Sequence, residues 1–320
     1  MPRPAAAPRV SPTPPRTGKS RLEGPVTPHL GSQNRRIQRW FTHFGRELPW
    51  RQPPAPGPHA GGWGVLVSEF MLQQTPVDRV IPEWTAWLER WPTPAALASQ
   101  APAEAIRAWG RLGYPRRALR LHSAAGAIAD RHDNLVPVGE ADLLALPGVG
   151  TYTAGAVRAF AYGQRAIALD TNVRRVIARH DHGQAMPDGS PTRAEMDYAD
   201  SIQPRRGGAG WMAAIMELGA LVCTARKPAC DRCPISGSCR WLALGRPEGP
   251  PPRRQAAYTG SDRQARGALM SVLRGADGPV TQADLDQAWP DAPQRARALD
   301  GLVADGLVAP AARGRWQLPG

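Results

Sequence analysis

The chain has 320 residues, enough for a sizeable core and for more than one packed unit. Its formal net charge of +13 and pI near 10.8 point to a polyanionic partner, nucleic acid before any other. No continuous apolar stretch reaches the length of a bilayer span, and the N-terminus lacks the apolar core of a secretory signal. Membrane and secreted classes are therefore set aside, and a cytoplasmic, nucleoid-associated protein is expected.

Residues Met1 to Gly31 are rich in Pro, Arg, Ser and Thr with few large apolar side chains, which predicts a disordered tail. From Asn34 to Arg240 the apolar residues recur mostly at helical spacing between short Gly or Pro punctuation, which predicts an all-α body. Helices are expected around Ile37 to Phe44, Trp63 to Gln73, Pro76 to Arg90, Pro102 to Trp109 and Pro115 to Arg131, several opening on proline. More follow around Tyr152 to Tyr162, Val173 to His180 and Gly210 to Val222. A second Pro/Gly/Arg stretch, 245–260, reads as a linker. Beyond it, helices near Asp262 to Arg274, Gln282 to Trp289 and Pro293 to Asp305 precede two strand-like pieces, Leu307 to Val308 and Arg315 to Leu318. Three helices and a hairpin suggest a small winged-helix-like module over 261–320.

Four strings in the helical body carry chemistry. All four cysteines, Cys223, Cys230, Cys233 and Cys239, fall in one short window. Disulfides do not suit a reducing compartment. A structural zinc remains open, but zinc modules present two close cysteine pairs, whereas only Cys230 and Cys233 are so spaced; four thiolates equally suit an iron–sulfur cluster. Arg226, Lys227, Arg232 and Arg240 decorate this window and could meet phosphate oxygens. A second string, Leu146-Pro147-Gly148-Val149-Gly150-Thr151-Tyr152-Thr153-Ala154, is a Gly-rich turn between helical segments. Gly148 and Gly150 let backbone approach a phosphate at a helix start; an ordinary capped inter-helix turn is the alternative. Third, Asp170 opens the segment Leu169-Asp170-Thr171-Asn172-Val173-Arg174-Arg175, where a helix N-cap and an ionised catalytic carboxylate can coexist. Asn172 and Arg175 read as positioning and phosphate residues. Fourth, Glu69 interrupts the apolar run from Val65 to Leu72. It is either a solvent-facing acid on an amphipathic helix or a buried one that keeps its proton and serves as a general acid.

Ser68-Glu69-Phe70-Met71-Leu72-Gln73-Gln74-Thr75, the Gly-rich turn, the Asp170 segment and the cysteine spacing together resemble the helix-hairpin-helix DNA glycosylases of the endonuclease III and MutY type. The likeness runs from about Gln38 to Leu242, with the four motifs in the family's order. It implies two helical lobes with DNA between them: a six-helix barrel over 57–163 inserted into a lobe built from 32–56 and 164–244, the latter holding a [4Fe-4S] cluster on the four cysteines. It implies that Glu69 protonates a flipped adenine mispaired with guanine or 8-oxoguanine, while Asp170 steadies the positively charged sugar. Gln73, Gln74 and Tyr114 would fill the gap or probe the opposite base. Tyr114 lies in Leu112-Gly113-Tyr114-Pro115, where the family commonly has a second aromatic instead of Pro115.

Tyr152 stands where endonuclease III has its Schiff-base lysine, and the only lysines here are Lys19 and Lys227. A monofunctional enzyme follows, with Tyr152 as a further catalytic candidate or simply a packed aromatic; a monomer is expected. A monovalent cation at the hairpin is also implied. The C-terminal 60 residues are too short for the Nudix-like domain that MutY proteins often carry. Two alternatives accompany this reading: a thymine- or other-mismatch glycosylase of the same superfamily, and a non-enzymatic iron–sulfur regulator that binds DNA through its winged-helix-like end.

Overall fold

A computed structural model describes residues 29–51, 60–249 and 257–320. The expected tail lies outside these residues up to 28, as does the linker over 250–256. The tail boundary needs correction: Leu30 is fully buried against the body, its N–H donates to Asp181 Oδ1 at 2.9 Å, and a 3₁₀ turn spans Leu30–Gln33. One apolar residue among polar neighbours suffices to anchor the chain there.

The N-terminal body is helical: α1 (Asn34–Phe44), α2 (Ala60–Leu72), α3 (Val77–Arg90), α4 (Pro94–Ala98), α5 (Pro102–Ala108), α6 (Arg116–Arg131), α7 (Glu140–Leu144), α8 (Thr151–Phe160), α9 (Thr171–Ile177), α10 (Arg193–Ile202), α11 (Gly208–Leu221) and α12 (Arg240–Ala243). α9 runs on through a π turn over Ala178–His182. Four of these escaped the periodicity reading, among them the four-residue α12. α4 and α7 are five residues each, too short to show a period. α10 is announced instead by a reciprocal capping box between Thr192 and Glu195.

Two apolar cores form. One gathers Trp63, Leu66, Phe70, Val80, Trp87, Trp109, Leu121 and Ile128 from α2, α3, α5, α6 and their neighbours. The other gathers Leu30, Ile37 and Trp40 with Val173, Val176, Trp211, Ile215, Leu218 and Ile235, joining α1 to α9, α11 and the cysteine loop. Apart from Ser68 and Glu69, α2 is apolar on every side, and it is buried from Trp63 to Met71, so it sits inside the first core rather than on its surface. α8 borders both: Val157 faces the first core and Ala156 the second. Glu217, 1% exposed on α11, ties the loop after α1 to this lobe by accepting from Arg46 Nε at 2.7 Å and Arg51 Nη2 at 2.8 Å. These two guanidinium groups overcome the cost of burial and hold its carboxyl at about 2.

The C-terminal module consists of α13 (Asp262–Gly275), α14 (Gln282–Ala288), α15 (Ala292–Ala304) and an antiparallel pair, β1 (Ala309–Ala311) with β2 (Arg315–Gln317). Val280 adds an antiparallel bridge to Trp316, so the wing gains a third edge between α13 and α14. The first strand begins two residues later than expected, because Leu307 and Val308 are spent on the module's core. That core also takes in Ile106 of α5, which is fully buried there.

Candidate active site

α2 and α8 pack side by side and bring Glu69 against Tyr152. Glu69 is 4% exposed, and among the described residues its Oε2 is buried with no hydrogen-bond partner. Burial raises the carboxyl to about 7. The Tyr152 hydroxyl opposes that rise by donating a hydrogen bond, and the negative charge of Asp170 adds to it. The surface-acid alternative for Glu69 therefore falls: a lone acid on an all-apolar helix is carried inside with it. Tyr152 is pushed well above the usual tyrosine range by the same burial and by both carboxylates, so it stays a proton donor.

Asp170 comes from the opposite lobe. Its Oδ1 accepts the Val173 N–H at 2.7 Å as the N-cap of α9, and its Oδ2 accepts Asn172 Nδ2 at 2.6 Å. The cap alone was expected to keep this carboxyl low. Burial outweighs it and raises the group, while the Val173 and Asn172 bonds and the nearby Arg175 charge restrain the rise. Two glycines make its position possible. A Cβ on Gly155 of α8 would lie 1.9 Å from Ile167 O, so the extended segment leading to Asp170 can press against the helix only there. A Cβ on Gly219 of α11 would lie 2.7 Å from that of Asn172, which lets the start of α9 seat deeply.

Asn172 in turn accepts from Arg175 Nη2 at 2.7 Å. The Arg175 guanidinium is buried and also donates to Gly219 O at 2.7 Å and Cys223 O at 2.7 Å. It thus connects the Asp170 cap to the first residue of the cysteine loop. Arg179, one turn on, donates to Thr224 O at 2.8 Å and Ala225 O at 3.0 Å, approaches Cys223 Sγ at 3.4 Å and lies over the Trp241 ring. Its spacing of four from Arg175 was the sequence signal for this role.

The four thiols lie within electrostatic reach of one another: burial first, and then the charges of Cys223, Cys239 and Cys230, push Cys233 up to about 12. The four thiols form no disulfide and are soft donors of the kind that holds an iron–sulfur group, while among the described residues no three metal-ligating side chains converge on a single ion. Arg226, Lys227, Arg232 and Arg240 are exposed around it.

At the hairpin, Gly148 adopts φ +79°, and a Cβ there would meet Arg120 Cβ at 2.8 Å and Phe70 Cε1 at 3.0 Å. Gly150 is the extended N-cap of α8, exposed and with open space around it. No side chain caps α8, so its first N–H groups, next to Tyr152, have no partner within the helix.

Gln73, Gln74 and Tyr114 sit on two loops that a single buried side chain joins. Arg117 of α6 donates to Phe70 O, Met71 O and Gln73 O at 2.6 to 2.9 Å, to Thr75 Oγ1 at 3.0 Å and to Gly113 O at 2.9 Å. Burial lowers its guanidinium to about 10, which leaves it charged. Gln74 at φ +58° and Tyr114 at φ +46° are both exposed and left-handed, a conformation that such bonds must stabilise. Sequence reasoning passed over Arg117, although it stands three residues beyond Tyr114.

The chain matches two families: HhH-GPD superfamily base excision DNA repair protein over residues 67–199, and the iron–sulfur binding domain of endonuclease III over residues 223–239. An adenine DNA glycosylase of Mycolicibacterium smegmatis is 52% identical over 88% of this chain and 94% of its own length. Among solved structures, a thermostable thymine-DNA glycosylase superposes with a TM-score of 0.59 at 24% identity, covering 67% of this chain and 96% of that one. A trapped endonuclease III–DNA covalent intermediate superposes with a TM-score of 0.56 at 21% identity, covering 67% of this chain and 95% of that one. These last two likenesses concern the fold.

Proposed function

Since the chain belongs to the adenine DNA glycosylases of the HhH-GPD superfamily, we propose that it is monofunctional and excises adenine mispaired with guanine or 8-oxoguanine, with Glu69 as general acid and Asp170 as electrostatic partner. It is a DNA repair enzyme that holds an iron–sulfur cluster; the non-enzymatic regulator is set aside. Cys223, Cys230, Cys233 and Cys239 would hold that cluster as [4Fe-4S]. When bound it supplies a rigid frame for the loop that presents Arg226 and Lys227 to phosphate.

The observation that carries the mechanism is the buried, unpartnered Oε2 of a carboxyl that titrates near 7. Flipping the adenine into the site costs about a few kcal/mol, least at a mispair. The Glu69 proton passes to a ring nitrogen of the base, the bond between that base and C1′ breaks, and the electron pair leaves with the neutral adenine. The positive charge on the sugar is met by Asp170, and water then adds at C1′ and returns a proton to the site. The hairpin N–H groups beside Gly148 and Gly150 would hold the backbone phosphate, with a monovalent cation at the same turn. A monomer suffices, because both carboxyls come from one chain. Its positive charge would keep it on the nucleoid.

Duplexes bearing A·G, A·8-oxoguanine and T·G, incubated with the protein and then treated with alkali, test this reading. Strand breaks at adenine support it; breaks at thymine alone would assign the mismatch relative instead. Without a lysine at position 152, borohydride should trap no covalent adduct at the efficiency of a true lyase.

A further inference from the structure

The winged-helix-like module carries seven arginines and seven aspartates over residues 257–320, with no Lys or Glu, so the whole surplus of +13 lies elsewhere in the chain. A neutral module is a poor reader of a polyanion. Its contacts run inward instead. Arg107 of α5 donates to Leu273 O, Arg274 O and Ala276 O at the end of α13, at 3.4, 2.8 and 2.8 Å, and Arg274 of α13 donates back to Gly110 O just beyond α5. Pro319 O accepts the Ala103 N–H at 3.0 Å, Asp305 pairs with Arg116 at 3.0 Å, and Ile106 completes the module's core. Everything gripped lies in the loop 109–115 or in α5 and α6 on either side of it.

That loop has three left-handed residues, Gly110, Gly113 and Tyr114, at φ +53°, +81° and +46°. Each carbonyl from 110 to 113 is held by an arginine: Gly110 by Arg274, Arg111 by Arg79, Leu112 and Gly113 by Arg117. We propose that the C-terminal module is a brace for the Tyr114 loop, and that Arg274 is its positioning residue, setting how well the enzyme distinguishes a mispair from a matched duplex. This rests on the reading that Tyr114 probes the DNA.

The test is binding of the full-length, cluster-loaded enzyme to an A·8-oxoguanine duplex and to its matched counterpart, with the single-turnover excision rate at saturating enzyme. Arg274→Met should reduce the preference for the mispair about tenfold, the effect of one hydrogen bond from a charged donor. The saturated rate should hold within about twofold, and Arg274→Lys should restore part of the preference. Tyr114→Ala should lose at least as much, and the double variant no more than Tyr114→Ala alone. If Tyr114→Ala keeps full preference, the probing reading fails. If Tyr114→Ala loses it while a folded Arg274→Met does not, the brace is overturned. Should Arg274→Met not fold, Asp305→Asn cuts the surface pairs to Arg116 and Arg266 and should lower the preference about threefold; unchanged preference there would also overturn the brace.

Discussion

Tyr152 on α8 donates its hydroxyl hydrogen to the Glu69 carboxyl on α2, and this bond works against the burial that lifts Glu69 to about 7. Burial without the bond would raise the acid further; the bond without burial would leave it ionised at neutral pH. The pair sets an acid that can both keep a proton and give it up.

Tyr152→Phe removes the stabilising donor from the ionised form, so the carboxyl should titrate higher. The alkaline limb of the excision profile is expected to shift upward by up to about one pH unit, the scale of one lost hydrogen bond to a carboxylate. A single-turnover pH series on both proteins checks it; an unmoved limb would mean that the hydroxyl does not act on Glu69.

A buried acid also affects stability. Glu69 titrates at about 7 folded against an ordinary value of 4.5, so the folded state binds its proton more tightly and stability is lost as pH rises from 4.5 through 7. Glu69→Gln abolishes that dependence. Its stability relative to the native chain should therefore improve by roughly 3 kcal/mol between pH 4.5 and 8. Denaturant melts at the two pH values measure the change, and parallel curves would contradict it.

Arg117→Met leaves carbonyls at the end of α2 and in the Leu112–Gly113 turn without their donor. A loss of about 3 kcal/mol is expected, with weakened mispair binding because both exposed loops depend on it. Thermal melting and duplex titration read the two effects separately. A variant that loses stability but binds mispairs as before would show that the loops do not need this tie.

Gly148→Ala forces a Cβ into a left-handed turn and against Arg120 and Phe70. Binding to matched and mispaired duplexes should fall alike, since a phosphate contact carries no sequence information. Gly150→Ala, in open space, serves as the milder comparison. Selective loss on mispairs alone would argue against a phosphate role for this turn.

How much of this could be read beforehand depended on what each feature leaves in the side-chain pattern. Glu69 was visible because a single charge in an apolar run has few explanations, and the cysteines because their spacing is sparse and complete. The cap role of Asp170 was visible too, but not that burial would outweigh the cap, since depth depends on Gly155 and Gly219 admitting neighbouring backbone from far along the chain. Arg117 and Arg274 act on main-chain carbonyls, which every residue type carries equally, so nothing in the identities around them marked the target. The helices α4 and α7 fell below the length at which a 3.6-residue period can be counted.

The most direct measurement is the single-turnover rate of adenine excision from a saturated A·G duplex between pH 5.5 and 9, for the native enzyme and Glu69→Gln. A protonated Glu69 predicts a rate that falls tenfold per pH unit above about 7, and no turnover by Glu69→Gln despite intact DNA binding. A level profile across that range, or retained excision by Glu69→Gln, would contradict the account.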